Sequence, residues 1–426
     1  MHDQQDSGQR FAVIGAGVVG LTTAYHLAMR GHQVTVIDQA EAPASGCSYA
    51  NAGIIAVGHA ESWAGPAAPR QMLGAVLGRA PSVKISKLLD PDLWRWGLAF
   101  LRHCTARAHA THSDAMARLS RHGRRMLQDL EQATGLDFDQ DHDGAYYLYG
   151  DRAAYHARVK SLSDGDQGFV PLSASELTQR DPALRAFEGT LRGGLVSSVD
   201  SKGDCHRFTQ ALAEWLQQNT TVTFCYGTSV TGFRRAEGRV QAVQTPSGEI
   251  ACDQLVVAAG TGTPALTASL GVRPLIYPVK GYSATYTILD DSRIPQRPFV
   301  DETNLVAVTR LGDRLRVTGI AEFAGHDSSP RADRAAHLDG YVARHFTGAV
   351  DLDGARHWAG LRPSTPSGRP YIGQLRNTPN VWLNAGHGQL GWTMAAGAAQ
   401  VLCDLVDGVR PAPSDVSETA SWLKSA

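Results

Sequence analysis

The stretch that decides the fold is FAVIGAGVVGLTTAYHLAMRGHQVTVID, residues 11–38. Residues 11–14 form a short apolar run, which is typical of a buried strand. Residues 18–30 place apolar side chains at helical spacing, and Gly31 then ends the helix. Residues 34–37 are apolar or β-branched and predict another strand. The stretch therefore predicts a strand, a helix and a second strand, with a glycine-rich turn after the first strand.

The turn between the first strand and the helix reads GAGVVG and begins at Gly15. Gly15 permits the tight turn, Gly17 lets a pyrophosphate approach the backbone, and Gly20 lets the helix pack closely on the strand. Val18 and Val19 open the helix, whose first amides carry the positive end of the helix dipole. This arrangement predicts a dinucleotide-binding site.

Asp38 ends the second predicted strand, where its carboxylate can accept hydrogen bonds from both ribose hydroxyls. The same charge would repel a 2′-phosphate, which makes NADP an unfavourable ligand. Asp38 is equally compatible with NAD and with FAD, so it does not identify the dinucleotide. Three later segments of the chain favour FAD.

The first of these segments is SGCSYANAG, residues 45–53. Ser48, Asn51, Ala52 and Gly53 combine small size with side-chain donors, which suits a loop that passes beside a second phosphate and a flat ring. The alternative is an ordinary surface loop rich in glycine and serine.

The second segment is CDQLVVAAGTGTP, residues 252–264. Its apolar run ends at Ala259 and Gly260, which fits a chain that returns beneath the nucleotide. Val230, at the start of an earlier strand, is placed to offer backbone hydrogen bonds to an adenine edge. Both features predict that the middle of the chain contributes to the nucleotide site.

The third segment is NAGHGQLGWTMAAGAAQ, residues 384–400. Gly386 lets the backbone come close to a ligand, and a helix begins a few residues later. The first amides of that helix would stabilise negative charge on the N1–C2=O edge of a reduced flavin. An NAD-dependent enzyme has no use for this second helix dipole. The residues predicted to contact the flavin are Gly388, Gln389, Leu390, Gly391 and Trp392.

Other patterns predict secondary structure away from these segments. Ser113 is predicted to cap a helix that ends before Gly135, and Asp204 is predicted to cap another. Residues 221–260 alternate between apolar and polar side chains and predict a β-meander. Residues 305–320 predict a β-hairpin.

The 426 residues are 43% hydrophobic and 19% charged, with a formal net charge of -1. A near-neutral chain has no general attraction to nucleic acid or to anionic membranes. The scattered cysteines lack zinc-site spacing, and residues 1–10 lack the apolar core of a signal peptide, so we expect a cytoplasmic protein without a metal. No apolar run is long enough to span a bilayer. Residues 90–104 either form a peripheral contact with the inner membrane or pack on the protein itself.

Together these motifs resemble the D-amino-acid oxidase-like flavoprotein superfamily, and within it the bacterial D-amino-acid dehydrogenases of the small-subunit type. The likeness covers nearly the whole chain, because it includes KGDCHRFTQALA, YPVKGYSATY and AGLRPSTPSGRPYIG. It implies a mixed α/β fold, in which a Rossmann-type FAD-binding domain is interleaved with a substrate domain built on a β-sheet with helices. The FAD-binding domain would comprise residues 9–60, 190–265 and 360–426, and the substrate domain residues 61–189 and 266–359.

The resemblance also implies residues of the site. Arg362 matches the superfamily arginine that holds a substrate carboxylate, and a guanidinium suits bidentate carboxylate binding. Tyr282 is a candidate second substrate contact, with a core tyrosine as the alternative. FAD would be bound noncovalently, because Tyr49, Ala50 and Asn51 stand where a histidine attachment would be expected.

The implied reaction is FAD-dependent oxidative deamination of D-amino acids to 2-oxo acids and ammonia, by hydride transfer from Cα to flavin N5. The electrons would pass to a membrane quinone or another acceptor. Ser367 stands where the dehydrogenase pattern usually has an acidic residue, so a dehydrogenase or oxidase of D-proline, hydroxyproline, sarcosine or glycine stays an alternative. An NAD-dependent dehydrogenase and a noncatalytic FAD-holding subunit are alternatives from other classes. The sequence leaves the oligomeric state open.

Overall fold

The computed structural model describes residues 8–76, 82–162 and 168–411. Two large β-sheets dominate these residues, one of six strands and one of nine, and helices pack on both. A three-stranded sheet and a two-stranded ribbon are also present. The mixed α/β class that the sequence predicts is confirmed.

The strands and α-helices of the described residues are numbered along the chain. The strands are β1 (Arg10–Ile14), β2 (Gln33–Ile37), β3 (Ile54–Ile55), β4 (Val83–Ile85), β5 (Ala145–Tyr149), β6 (Phe169–Ser173), β7 (Gly193–Ser197), β8 (Ser201–Lys202), β9 (Thr223–Cys225), β10 (Gly232–Ala236), β11 (Arg239–Thr245), β12 (Gly248–Ala251), β13 (Gln254–Val257), β14 (Tyr277–Thr287), β15 (Phe299–Asp301), β16 (Val306–Leu311), β17 (Arg314–Phe323), β18 (Arg356–Ser364), β19 (Tyr371–Gln374) and β20 (Val381–Ala385). The helices are α1 (Val18–Met29), α2 (Ala68–Val76), α3 (Pro91–His103), α4 (Ala106–Thr134), α5 (Arg152–Ser161), α6 (Ala174–Arg180), α7 (Cys205–Asn219), α8 (Thr263–Ala268), α9 (Ala332–His345) and α10 (Gly391–Val406).

The six-stranded sheet is mostly parallel, with the order β19-β20-β13-β1-β2-β9. β1 pairs in parallel with β2 and with β13, so the predicted strand–helix–strand unit lies at the centre of the sheet. Phe11 and Val13 pack towards helix α1, whereas Ala12 and Ile14 pack towards the three-stranded sheet. Because both faces are covered, the central strand is an unbroken apolar run.

The nine-stranded sheet has the order β18-β14-β17-β16-β15-β5-β7-β6, with β4 added beside β17. β16 and β17 form the predicted hairpin. Helix α9 packs on one face, where Tyr282, Tyr286, Leu338 and Tyr341 belong to one apolar cluster. Helix α3 packs on the other face of β14. Successive residues of β14 therefore face two different environments.

Three predicted helix ends can be compared with the structure. α4 begins after Thr105, whose side chain accepts a hydrogen bond from the amide of Ala108, so the prediction that Ser113 caps this helix is wrong. About two turns of polar helix precede the apolar stripe. Gly135 ends α4 in a left-handed conformation, with φ +67, and Asp204 caps α7, both as predicted.

The β-meander predicted for residues 221–260 is only partly present. β10, β11 and β12 form an antiparallel three-stranded sheet. The flanking strands β9 and β13 pair instead with β2 and β1 in the six-stranded sheet. Alternation of side chains identifies a strand, but it does not identify the neighbour to which that strand is hydrogen bonded.

Strand pairing crosses the predicted domain ranges at two places. Both β7 and β18 belong to the nine-stranded sheet, where β7 pairs with β5 and β18 pairs with β14. Residues 193–197 and 360–364, however, fall within the ranges predicted for the FAD-binding domain. The division of the chain into domains stays a prediction.

Helices α4 and α10 cross at very close range. A Cβ at Gly123 would lie 2.1 Å from the carbonyl oxygen of Thr393, and a Cβ at Gly397 would lie 2.6 Å from the amide nitrogen of Gly123. Both positions therefore require glycine. Since α10 also packs on α1, this crossing helps to fix the two helices whose N-termini face the cavity described below.

We expect Gly397→Ala to lower the free energy of unfolding by about 1–3 kcal/mol, because its methyl group would meet backbone atoms of α4. Gly340→Ala is the matched control. Gly340 lies in α9, where a Cβ would meet nothing within 4 Å, and alanine favours a helix over glycine by about 1 kcal/mol. Urea unfolding followed by circular dichroism measures both variants. Equal stabilities would contradict the close crossing.

Candidate active site

A cavity of about 1390 Å³ is lined by residues of both large sheets and of the loops between them. The cavity is lined by segments that lie far apart in the sequence and that the sequence analysis predicted to form one site. The predicted site residues that line it are Gly15, Gly17, Val18, Val19, Asp38, Ser48, Asn51, Ala52, Gly53, Val230, Ala259, Gly260, Tyr282, Arg362, Gly388, Gln389, Gly391 and Trp392.

The turn after β1 requires glycine for two different reasons. Gly15 has φ +114, and a Cβ there would lie 2.5 Å from the carbonyl oxygen of Ala258. A Cβ at Gly20 would lie 1.8 Å from the carbonyl oxygen of Gly15. Gly20 therefore serves the packing of α1 on the strand, and it lies outside the cavity lining.

Asp38 lies at the end of β2, beside the glycine turn. Its carboxylate accepts hydrogen bonds from the amides of Ala16, at 2.6 Å, and Ala40, at 2.9 Å, which fix its orientation. The amide of Thr228 donates to the carbonyl oxygen of Asp38 at 2.9 Å and brings the segment before Val230 alongside. This placement fits a ribose at Asp38 and an adenine beside Val230.

Ser48 covers the first turn of α1. Its hydroxyl oxygen accepts a hydrogen bond from the amide of Val18 at 3.0 Å. The side-chain oxygen of Asn51 accepts a hydrogen bond from the amide of Gly53 at 3.0 Å. The backbone carbonyl oxygen of Asn51 accepts from the guanidinium of Arg316 at 3.0 Å. This segment therefore crosses the helix N-terminus at the place where a pyrophosphate would bind.

The start of α10 provides a second helix N-terminus at the cavity. Its N-cap, Leu390, makes no side-chain capping hydrogen bond, and Gly388 and Gly391 line the cavity at its first turn. Uncapped amides at this position fit the negatively charged edge of a reduced flavin. The side chain of Leu390 is buried in the core, and the indole of Trp392 donates to the carbonyl oxygen of Gly203 at 3.1 Å.

Arg362 lies on β18 and extends its guanidinium over Gly281 of the neighbouring strand β14. A Cβ at Gly281 would lie 2.4 Å from Nη2 of Arg362, so only glycine leaves room for the guanidinium. Nη1 donates to the carbonyl oxygen of Ile320 on β17 at 3.3 Å. Among the described residues no carboxylate pairs with this arginine, and burial lowers its pKa. Such a guanidinium is suited to an anionic group of a ligand.

The carbonyl group that receives Arg362 belongs to a strained residue. Ile320 has φ +62, which is rare for a β-branched side chain. The register between β14 and β17 shifts beside it, between Lys280 and Tyr282. Strain of this kind concentrates at functional sites. Sequence reasoning missed Ile320, because isoleucine favours an ordinary extended strand.

Tyr282 points away from Arg362. Neighbouring residues of a strand face opposite sides, and Gly281 takes the side of the cavity. The hydroxyl of Tyr282 donates to the buried Glu322, and the fully buried Lys280 lies on the same face as this pair. The geometry fits the core tyrosine that the sequence left as an alternative, and it does not support a contact between the Tyr282 side chain and a substrate.

Burial shifts the pKa values of two ionisable cavity residues away from neutral. The thiol of Cys47, which sequence reasoning missed, donates to the carbonyl oxygen of Leu361 at 2.6 Å. Burial raises the pKa of Cys47 to about 12, although Arg362 opposes this shift. Burial lowers the pKa of His387 to about 3. Neither group supplies acid–base chemistry at this end of the cavity.

Ser367, the departure from the dehydrogenase pattern, lies outside the cavity lining. Its carbonyl oxygen accepts from Ser62 at 2.8 Å, and its hydroxyl accepts from the amide of Arg369 at 3.3 Å. The side chain at this position therefore does not form part of the described cavity wall. Within the described ranges, no group of three or more His, Cys, Asp or Glu side chains could hold a metal ion.

We expect Asp38→Ala to weaken FAD binding by about tenfold or more, because it removes the charged acceptor that orients the glycine turn and faces the ribose. Gln39→Ala is the matched control, since Gln39 lines the cavity next to Asp38 and its side chain is exposed. Quenching of FAD fluorescence on titration with apoprotein gives both affinities. An Asp38→Ala protein that binds FAD as tightly as the control would contradict this assignment.

The FAD dependent oxidoreductase family matches residues 10–405 of the chain. A D-amino acid dehydrogenase of Cereibacter sphaeroides is 44% identical over 407 residues, which cover 94% of this chain and 92% of the relative. A D-amino acid dehydrogenase of Chromohalobacter salexigens is 40% identical over 403 residues, which cover 94% and 96%. The structure is similar to glycine oxidase from Bacillus cereus, with a TM-score of 0.73, 19% identity and coverage of 94% of this chain and 97% of that one. It is also similar to L-proline dehydrogenase from P. horikoshii, with a TM-score of 0.71, 17% identity and coverage of 98% of both chains. The cavity, its two helix N-termini and the full-length match lead to one conclusion: the chain belongs to the FAD dependent oxidoreductase family, and FAD is its cofactor.

Proposed function

We propose that the protein oxidises D-amino acids to 2-oxo acids and ammonia. The observation that carries this proposal is the half-buried guanidinium of Arg362, which faces the cavity without a carboxylate partner among the described residues. An α-amino acid presents a carboxylate to such a group and holds the carbon to be oxidised one bond away. The identities of 44% and 40% to two D-amino acid dehydrogenases support the same substrate class.

The residues that would hold FAD follow the cavity from end to end, and we propose that binding is noncovalent. Asp38 would accept hydrogen bonds from the ribose, and Ser48 with the first turn of α1 would bind the pyrophosphate. The first turn of α10 would stabilise negative charge at the flavin ring. FAD held in this way supplies the two-electron acceptor for oxidation at Cα.

Arg362 would bind the substrate carboxylate through parallel hydrogen bonds and so fix the direction of the Cα–H bond. Gly281 leaves the space for the guanidinium, and the carbonyl group of Ile320 holds its plane in place. Because burial raises the pKa of Cys47 and lowers that of His387, catalysis would rest on orientation. The substrate amine would react unprotonated, so the rate should rise with pH until that amine is fully deprotonated.

Other amines are the alternative substrates. The names of two solved structures of similar fold refer to glycine and to L-proline, but at 19% and 17% identity they show the fold alone. Glycine-type, sarcosine-type and proline-type substrates must therefore be tested beside D-amino acids. A noncatalytic role in holding FAD is the alternative from another class.

We expect Arg362→Leu to lower kcat/KM for D-amino acids by about 100-fold to 1000-fold, because a carboxylate would be left without its charged partner. Arg362→Lys should retain more activity, since it keeps the charge and loses only the planar fork. Arg356→Leu is the matched control, because Arg356 is an exposed residue of the same strand. Anaerobic loss of visible flavin absorbance after mixing with substrate measures each variant.

A panel of D-, L-, cyclic and N-methyl amino acids in the same assay separates the alternatives. Bleaching by D-amino acids supports the proposal. Bleaching by glycine, sarcosine or D-proline alone would replace the substrate class. A fully FAD-loaded protein that no compound bleaches would favour the noncatalytic role.

We also propose that the electrons pass to a quinone in an adjacent bilayer. Helix α3 is amphipathic, and its buried residues Trp96 and Phe100 line the cavity. The opposite side of α3 and the turn before it carry the exposed apolar residues Leu88, Leu89, Trp94, Leu98 and Leu101, which we call the α3 patch. One helix therefore separates the cavity from an apolar outer surface.

The partner that fits the α3 patch is an anionic bilayer surface. The basic residues Lys87, Arg95 and Arg102 lie in the same segment and are exposed. Apolar side chains beside basic ones on a helical face suit a helix that lies in the membrane interface. Among the described residues, the structure contains no helix with the length and hydropathy required of a membrane span.

We expect the double variant Leu89→Asp, Leu98→Asp to lose binding to vesicles of phosphatidylglycerol and phosphatidylcholine by about tenfold or more, since each buried leucine contributes about 1.5–3 kcal/mol. Leu289→Asp is the control, because Leu289 is 66% exposed and lies outside the patch. Co-sedimentation with the vesicles measures binding. Failure of the unmodified protein to sediment, or an equal loss in the control, would refute the assignment.

A further inference from the structure

We propose that His59 and Glu302 form the far end of the substrate chamber and select amino acids whose side chain ends in a cation. This inference rests on the proposed function, in which Arg362 holds the carboxylate. Nε2 of His59 lies 3.2 Å from Oε1 of Glu302. Both side chains line the cavity that Arg362 also faces.

Strand register places Glu302 across the sheet from the carbonyl group that receives the guanidinium. Asp301, Val306 and Gly319 are paired in one row across β15, β16 and β17. Glu302, the first residue of the turn after β15, and Ile320, on β17, directly follow Asp301 and Gly319. β15 and β17 run in the same direction because each is antiparallel to β16. Two strand spacings separate Asp301 from Gly319, so the positions that Glu302 and Ile320 follow lie about 10 Å apart.

The floor of the chamber between these two ends is open. Val300, Ala307 and Thr318 are register neighbours on β15, β16 and β17, and all three line the cavity. Their small side chains leave a trough across the sheet. A side chain as long as that of lysine or arginine would reach along this trough from Arg362 towards Glu302, whereas that of alanine would not.

A buried network lies beneath His59, whose own side chain is 52% exposed. Its ring stacks on Tyr147, with centroids 5.6 Å apart and planes 10° from parallel. The hydroxyl of Tyr147 donates to one oxygen of Asp200 at 2.7 Å, and the other oxygen accepts from the amide of Gly58 at 2.7 Å. Asp200 is fully buried. One carboxylate therefore orients both the ring beneath His59 and the backbone next to it.

This end of the chamber is acidic. A second cavity, of about 150 Å³, lies behind the pair, and His59 and Glu302 line both cavities. Burial lowers the pKa of His59, but the surrounding carboxylates outweigh burial and raise the pKa overall. The charged and titratable groups around His59 are Glu61, Tyr147, Tyr149, Arg158, Asp200 and Glu302.

A cation matches this end better than an apolar group or an anion. His59 pairs with Glu302, and the carboxylates around it favour its protonated form. An incoming ammonium or guanidinium would take that place on the carboxylate, and His59 would release its proton to solvent. An apolar terminus would instead cover a carboxylate that is only 17% exposed without offering it a hydrogen bond. An anion would meet carboxylates of the same charge.

The test uses 6-aminohexanoate and hexanoate, which correspond to lysine and norleucine without the α-amine and so cannot be deaminated at Cα. Calorimetric titration of the FAD-loaded protein should show that 6-aminohexanoate binds about tenfold more tightly, as expected for one charged hydrogen bond. Glu302→Gln should abolish this preference and leave the affinity for hexanoate unchanged. Glu61→Gln is the matched control, because Glu61 lines the second cavity and not the first.

Two further measurements sharpen the test. Glu302→Lys should reverse the preference, so that adipate binds more tightly than 6-aminohexanoate. In the unmodified protein the preference for 6-aminohexanoate should grow as the pH rises above 6.5, the usual pKa of histidine, because His59 must lose its proton. His59→Asn should remove this pH dependence.

The outcomes separate this inference from the proposed function. If hexanoate binds and 6-aminohexanoate gains nothing, or if the preference survives in Glu302→Gln, the selection for cations is refuted while the carboxylate site stands. If neither compound binds the FAD-loaded protein, the carboxylate site fails, and both proposals fail with it.

Discussion

The contact between Arg362 and the two strands beside it is the constraint on which the site depends. A guanidinium needs space, a partner that fixes its plane, and surroundings that do not neutralise it. Gly281 supplies the space, and the carbonyl group of Ile320 supplies the partner. Because that carbonyl occupies only part of the donor set of arginine, the remaining N–H groups stay available for a carboxylate. The proposed substrate site thus depends largely on backbone geometry.

The cofactor end depends on helices from opposite ends of the chain. The N-terminus of α1 meets the segment around Ser48, and the N-terminus of α10 meets the far end of the cavity. The two helices pack on each other, and α10 also crosses α4 at Gly123 and Gly397. One packed group of helices therefore fixes both dipoles, and a displacement of α10 would disturb both helix N-termini at the cavity.

Sequence alone could predict those parts of the site that depend on particular residue types at a fixed spacing from a strand or helix. The glycine turn after β1 is of this kind, whereas Arg362 was predicted from its match to the superfamily arginine. The predicted cap at Ser113 was wrong because a polar helix can extend beyond its apolar stripe. Alternation along β14 shows that neighbouring residues face opposite sides, but not that the side chain of Tyr282 lies on the side of Glu322 rather than that of Arg362. Glu302 has no local motif, because only the pairing of strands distant in the sequence brings the turn after β15 to the same cavity as Arg362.

Strand β14 links the proposed substrate site to the packing of the large sheet. Gly281 faces the cavity, whereas Lys280 and Tyr282 are buried on the side of α9, where the tyrosine is hydrogen bonded to Glu322. A slip of one residue would place a large side chain beneath the guanidinium and turn these polar groups towards the wrong face. Buried polar contacts add little to net stability, but they can make one arrangement much better than its competitors. Here the favoured arrangement is the register that leaves glycine under the arginine.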